Sequence, residues 1–199
     1  MKPYQRPHPP ILGSVGHPFS NGIIELGKRG WSPISGDFVH ANWIRNHWER
    51  YAQGCEAAGR VADPANWRVA RTIFVCEDEK LAQSYAKTDP QSPYRFNMSQ
   101  IRAKLERAGQ IMVLKAHPDL ADEDVTLDYV VDQTVICGGV NQVVDQLLAF
   151  RETTGDFGTL YYVGKDWADP DLGRRSMELM AEKVMPRIND AIDRQNAAE

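Results

Sequence analysis

The stretch His8–Gly22, HPPILGSVGHPFSNG, decides how this chain is read. Ile11-Leu12-Gly13-Ser14-Val15 is a short apolar run of strand character, and Gly16-His17-Pro18-Phe19-Ser20-Asn21-Gly22 is a loop of turn-forming residues. Ile23, Leu26 and Gly27 then fall on one face at helical spacing, Gly30 ends that helix, and Trp31-Ser32-Pro33-Ile34-Ser35 is a second short strand. Strand, helix and strand in so little sequence form a βαβ unit, which requires a parallel sheet. The loop inside that unit is of a kind that receives a phosphate. A helix start exposes backbone N–H groups together with the positive end of the dipole. Ser20 or Asn21 can cap the helix or turn a polar side chain to a phosphate oxygen, and Gly16 and Gly22 permit close backbone approach. An ordinary capped loop uses the same residue types, so the residues alone leave both readings open.

The βα rhythm continues along the chain. Asn42 to Gly59 reads as a helix carrying Trp43, His47, Trp48, Tyr51 and Cys55, and Val69–Val75 is the third strand. Asp78-Glu79 opens a helix with acids at its positive end. The text then changes: Asp89–Tyr94 is a loop, Met98–Met112 a helix, and Asp122 the cap of a short segment reaching Val130. Val135-Ile136-Cys137-Gly138-Gly139 leads into helical spacing from Val140 to Phe150, and Thr159–Val163 reads as the fourth strand. Asp171 is the expected cap of the last helix. The expected fold is therefore α/β, with about four strands each followed by a helix. Residues 1–10 form a proline-rich extended arm and 11–199 one domain, with an insertion at about 88–134 between the third and fourth strands. This rhythm fits a small open sheet or part of a (β/α)8 barrel. A whole barrel takes about 250 residues, so four strands amount to half of one.

Composition removes several classes of function. A formal net charge of −4, from 27 carboxylates against 23 Lys and Arg with no basic block, argues against a nucleic-acid partner. Cys55, Cys76 and Cys137 are widely spaced, which disfavours a disulfide framework or a thiolate zinc site. No HxxxH pair, carboxylate–histidine cluster or triad order points to metal catalysis or hydrolysis. Asp119, Asp122, Glu123, Asp124 and Asp128 lack EF-hand spacing and read as a solvated insertion. No apolar run approaches the roughly 20 residues of a membrane span, and no apolar signal region follows the charged start. The cytoplasm is the expected compartment.

Four groups of residues, in order, carry a resemblance. The first is Pro7-His8-Pro9-Pro10-Ile11 running into Gly13-Ser14, then Pro18-Phe19-Ser20-Asn21-Gly22 and Arg29-Gly30-Trp31. Cys137-Gly138-Gly139-Val140 with Val143–Arg151 is the second, and Phe157–Tyr162 leading to Asp166-Trp167 the third. The fourth is Arg174–Met180 with Val184-Met185-Pro186-Arg187. From about Pro7 to Ile188 the chain resembles the second half of bacterial luciferase-like flavin-dependent monooxygenases, in the limonene or alkanal monooxygenase-like branch. The resemblance implies a partial TIM (β/α)8 barrel holding the last four βα units. It also implies reduced FMN (a deazaflavin in some branches) from a separate flavin reductase, with O2 and a small apolar organic substrate. On this template the flavin phosphate contacts fall on Ser14, Ser20, Asn21 and Gly22, with His17 orienting or hydrogen-bonding in the same loop. No residue is assigned to catalysis and none to a metal. With the first four strands absent, the isolated chain is expected to bind flavin weakly or not at all. It would pair with a second copy or with a separate N-terminal half. The alternative is a noncatalytic, dimerising or partner-binding α/β fragment.

Other residues carry further expectations. Ser35, Gly36, Asp37 and His40 follow the second strand and would face the catalytic rim, His40 as a pocket or surface group. Trp43 and Trp48 suit the barrel exterior or a partner, Trp31 the βαβ core, and Trp167 the rim. Arg71 is expected to pair with a carboxylate, and Gly138-Gly139 to make a tight turn.

Overall fold

The computed structural model describes residues 3–6, 8–165 and 168–197. The order is β1 (Leu12–Val15), α1 (Asn21–Arg29), β2 (Ser32–Ser35), α2 (Ala41–Ala57), β3 (Arg68–Val75), α3 (Glu79–Gln83), α4 (Pro93–Arg107), α5 (Leu127–Thr134), β4 (Val135–Gly138), α6 (Val140–Thr154), β5 (Thr159–Val163), α7 (Pro170–Leu179) and α8 (Met185–Asn196). Wider π-helical turns at Ser84–Thr88 and Met180–Val184 follow α3 and join α7 to α8.

Every strand pair is parallel, as the βαβ reading requires. β1 runs beside β2, with Val15 opposite Ser35, and β2 beside the start of β3, with Ser35 opposite Val69. Arg68 pairs with both Ile34 and Thr159, and Thr72 with both Val135 and Val163. β5 therefore lines one edge of β3, while β2 and β4 meet its other edge one after the other. Arg71 stands at the step where β2 has ended and β4 has not begun. Its guanidinium donates to the carbonyls of Val39 (3.0 Å) and Gln133 and lies over the Phe150 ring at 4.8 Å. Main-chain oxygens take the direct bonds, and the expected carboxylate, Asp37, acts on the guanidinium without a direct ion pair.

Among the described residues the sheet has five strands, not four. Val135–Gly138 is buried along its whole length, so it lacks the alternation of a half-exposed strand and merges into the apolar lead of the next helix. Nor is the segment at 88–134 merely a solvated excursion, because Tyr94 and Met98 of α4 are fully buried in the main core. α4 begins at Pro93 rather than Met98, since Ser92 Oγ accepts from the Tyr94 and Arg95 amides. Asp122 lies in a single 3-10 turn, and Thr126 caps α5. Asp169, not Asp171, caps α7. Pairs of residues capable of capping lie close together at these ends, and only backbone geometry selects between them.

α1 and α2 touch main chain to main chain. A Cβ at Gly54 would lie 2.1 Å from the Ile24 carbonyl oxygen, and one at Gly27 would lie 2.4 Å from that of Tyr51. This contact fixes α1 against the last third of α2 and so positions the site described next.

Candidate functional site

The carboxyl ends of parallel strands are where α/β folds gather ligands, and the loop after β1 lies there. His17 O accepts from the Ser20 amide at 3.3 Å, and Ser20 Oγ accepts from the Gly22 amide at 3.1 Å, capping α1. His17 Nδ1 accepts a long bond from the Phe19 amide, 3.4 Å. His17, Ser20, Asn21 and Gly22 thus share one turn, whereas Ser14 sits upstream on the exposed side of β1. Gly16 has a packing role: a Cβ there would come 2.9 Å from the Phe38 ring.

Sequence reading missed Arg50. From α2 its Nη2 donates to Asn21 Oδ1 at 2.5 Å and its Nε to the Ser20 carbonyl at 3.3 Å. α1 carries no acid in its first turn. A guanidinium therefore stands at the positive end of a helix dipole with no carboxylate from that turn to balance it, an arrangement that favours an anion. The backbone amides of Ser20, Gly22 and Ile23 are engaged within the turn, which leaves the Ser20 hydroxyl, the Asn21 amide and the guanidinium as the donor set that fits a phosphate. Arg50 lies 29 positions from Asn21 in sequence, so no local motif marks it.

A buried polar relay underlies the loop. Ser35 and His47 are both fully buried; Ser35 Oγ lies 2.9 Å from His47 Nδ1 and accepts from Trp67 Nε1 at 3.0 Å. Burial pushes the His47 pKa down to about 4, so the ring is neutral. His40 is neither a surface group nor a free pocket residue. It is buried, its Nδ1 caps α2 by accepting from the Asn42 amide, and its Nε2 donates to Gln133 Oε1 at 3.1 Å. Across the sheet, Asp37 Oδ2 after β2 meets Lys165 Nζ after β5 at 3.3 Å and accepts from Thr72 Oγ1 at 2.8 Å.

The tryptophans among the described residues pack or bond within the fold. Trp43 donates to the Lys115 carbonyl at 2.8 Å, and Trp48 stacks on Trp67, with ring centres 5.4 Å apart. Trp31 is half-buried under Arg29. Asp166 and Trp167 lie outside the described residues. Cavities of about 480, 450 and 250 Å³ open beside Lys87 and Arg95, beside Leu179 and Arg187, and beside Arg71 and Phe150. None of the three is walled by residues 14–22. Among the described residues no group of three or more His, Cys, Asp or Glu is placed to hold a metal, and no helix is long and apolar enough to cross a membrane.

Known proteins resemble this chain along most of its length. The chain is 26% identical over 181 residues to 3,6-diketocamphane 1,6-monooxygenase of Pseudomonas putida, covering 90% of this chain and 47% of that enzyme. It is 28% identical over 192 residues to 4-hydroxyprotoasukamycin monooxygenase of Streptomyces nodosus subsp. asukaensis, covering 93% and 48%. The solved oxygenating constituent of the P. putida 3,6-diketocamphane monooxygenase, a type II Baeyer–Villiger monooxygenase in complex with FMN, superposes with a TM-score of 0.76 at 25% identity, over 91% of this chain and 49% of that one. The chain thus spans about half the length of the curated relatives it matches. Residues 2–156 match the luciferase-like monooxygenase family, and the chain belongs to that family.

Proposed function

We propose that this chain is the C-terminal half of an FMN-dependent monooxygenase that oxidises a small apolar organic substrate with O2, using reduced flavin from a separate reductase. The observation that carries this reading is the start of α1 with Arg50 set against it. Ser14, His17, Ser20, Asn21 and Gly22, joined by Arg50, hold the phosphate, with the Asn21 amide, Ser20 Oγ and the guanidinium as donors. Reduced flavin, when bound, supplies the electrons that activate O2. The chain's own contribution is to seat and orient the cofactor from one side. In this reading the chain is a partial barrel, 11–199 as one domain after an extended arm, and the other wall of the pocket comes from a second copy or a complementary half. Oxygen chemistry needs a site closed to bulk water, so the isolated chain binds flavin weakly and turns over little. Family membership, and not an identified reacting residue, supports the reaction class.

A second reading, a noncatalytic α/β piece that binds a partner and no flavin, is favoured by the apolar side chains left exposed at the β1 edge, Leu12 at 37% and Phe19 at 47%. One titration separates the two. Wild type should bind FMN more tightly than riboflavin, which lacks the phosphate. Ser20→Ala with Asn21→Ala should weaken FMN roughly 10-fold and leave riboflavin nearly unchanged, the size expected for lost charge-assisted bonds. Equal losses for both ligands mean general loop damage, and no FMN preference in the wild type supports the second reading.

A further inference from the structure

We propose that His47 is the positioning residue of the phosphate loop, acting through a buried relay, Trp67–Ser35–His47, that ends beneath the His17 carbonyl. The inference rests on the phosphate reading of the loop. Trp67 Nε1–H points at Ser35 Oγ (3.0 Å), so that oxygen accepts there and its own proton is free for His47 Nδ1 at 2.9 Å. With Nδ1 accepting, the ring proton resides on Nε2. That N–H is buried and makes no hydrogen bond of full geometry; its weak contact is with the His17 backbone, which acts on the ring against the effect of burial. A buried donor held only by a weak contact is costly, and native structures rarely leave one unless it has a use. The acceptor within reach is the carbonyl that already closes the His17–Ser20 turn through a long 3.3 Å bond. Seating that carbonyl firmly on Nε2–H as the phosphate meets the Asn21 amide completes the weak contact and fixes the turn. The placement on α2 is consistent. His47 and Arg50 are one turn apart on a single face, the first under the start of the loop and the second against its end.

The test uses the full chain, with FMN and riboflavin as paired probes. His47→Leu should lower the ratio of FMN to riboflavin affinity roughly 10-fold while riboflavin affinity stays within about twofold. His47→Gln, whose amide N–H can stand where Nε2–H stands, should restore much of the ratio. A residue that only filled space would show no such rescue. A folded His47→Leu that keeps the wild-type ratio overturns the proposal. If His47→Leu fails to fold, Ser35→Ala is read in its place, because it frees the ring without removing it, and an unchanged ratio again overturns the proposal. Amide hydrogen exchange at Ser20, whose N–H closes the turn on His17, needs no ligand. Exchange should quicken in His47→Leu or Ser35→Ala and stay near wild type in His47→Gln; unchanged exchange overturns the positioning role. A wild type with no FMN preference but with this exchange pattern would discard the phosphate reading and keep His47 as the seat of the turn.

Discussion

His40 and His47 are buried beside the candidate site, and desolvation lowers both pKa values, that of His47 from 6.5 to about 4. The unfolded chain protonates position 47 as pH falls through 6.5 while the folded protein does not until about pH 4. Stability is therefore fully present above pH 6.5, falls as pH drops through that window, and levels off below it. At about 1.4 kcal/mol per pH unit the full effect of His47 is roughly 3 kcal/mol, and His40 adds in the same direction. Glu25 and Glu77 titrate lower, held below the usual carboxylate range by hydrogen bonds from Lys28 and Arg175, so their loss belongs to more acidic solution. Urea midpoints at pH 7.5 and pH 5 should differ clearly for wild type and much less for His47→Gln. An equal drop in both proteins would mean that His47 does not titrate as a buried neutral ring. The sequence made the loop itself legible, because Ser20, Asn21 and Gly22 are local capping chemistry. It did not reveal Arg50, Trp67 or Lys165, whose roles depend on chain segments that meet only in the fold.

Among the elements, the α1–α2 pair shows most sharply what geometry adds to pattern. Both helices were readable from periodicity and capping, and α2 spans almost the limits expected of it. Their backbone-to-backbone contact was not, since a glycine within a helix pattern looks like a weak point rather than a contact surface. Gly54→Ala tests this with competing magnitudes. Alanine favours the helix over glycine by about 1 kcal/mol, yet its Cβ would lie 2.1 Å from the Ile24 carbonyl oxygen, a backbone atom that yields only if the helices part. Overpacking of this kind costs about 1–3 kcal/mol or more. The net result should be a loss of about 1–2 kcal/mol in chemical denaturation, with Gln53→Ala on the exposed side near neutral. A stabilised Gly54→Ala would mean that the close approach is absent. β4 escaped the sequence reading for a related reason. A short strand buried on both faces has no periodicity of its own, and only pairing with β3 defines it.

At the scale of the molecule, the alternation of strand and helix made the parallel α/β class readable, but it could not specify strand order. That order is a long-range property: the same rhythm serves an open sheet and a stretch of barrel. In the described residues β5 returns to β3 instead of continuing beyond β4, so β1 and β5 are both edge strands. Parallel sheets are normally covered on both faces, and a bare edge is a template for another chain. Three apolar side chains lie on or beside these edges with more than a third of their surface exposed: Leu12 at 37%, Phe19 at 47% and Tyr161 at 40%. Leu12 lies on β1 just before the candidate loop and Phe19 lies within that loop, so covering the β1 edge would also shield the candidate site from water. The chain should therefore self-associate through β1, with dimers at micromolar concentration in sedimentation equilibrium. Leu12→Lys puts a charge on that edge, a device natural proteins use against strand pairing. It should shift the population to monomer with little change in far-UV circular dichroism, because the substituted side chain is not part of the core. A wild type that stays monomeric across the concentration range would rule out this edge as a self-interface. A Leu12→Lys that remains dimeric would move the contact to β5, where Tyr161→Lys is the matching substitution.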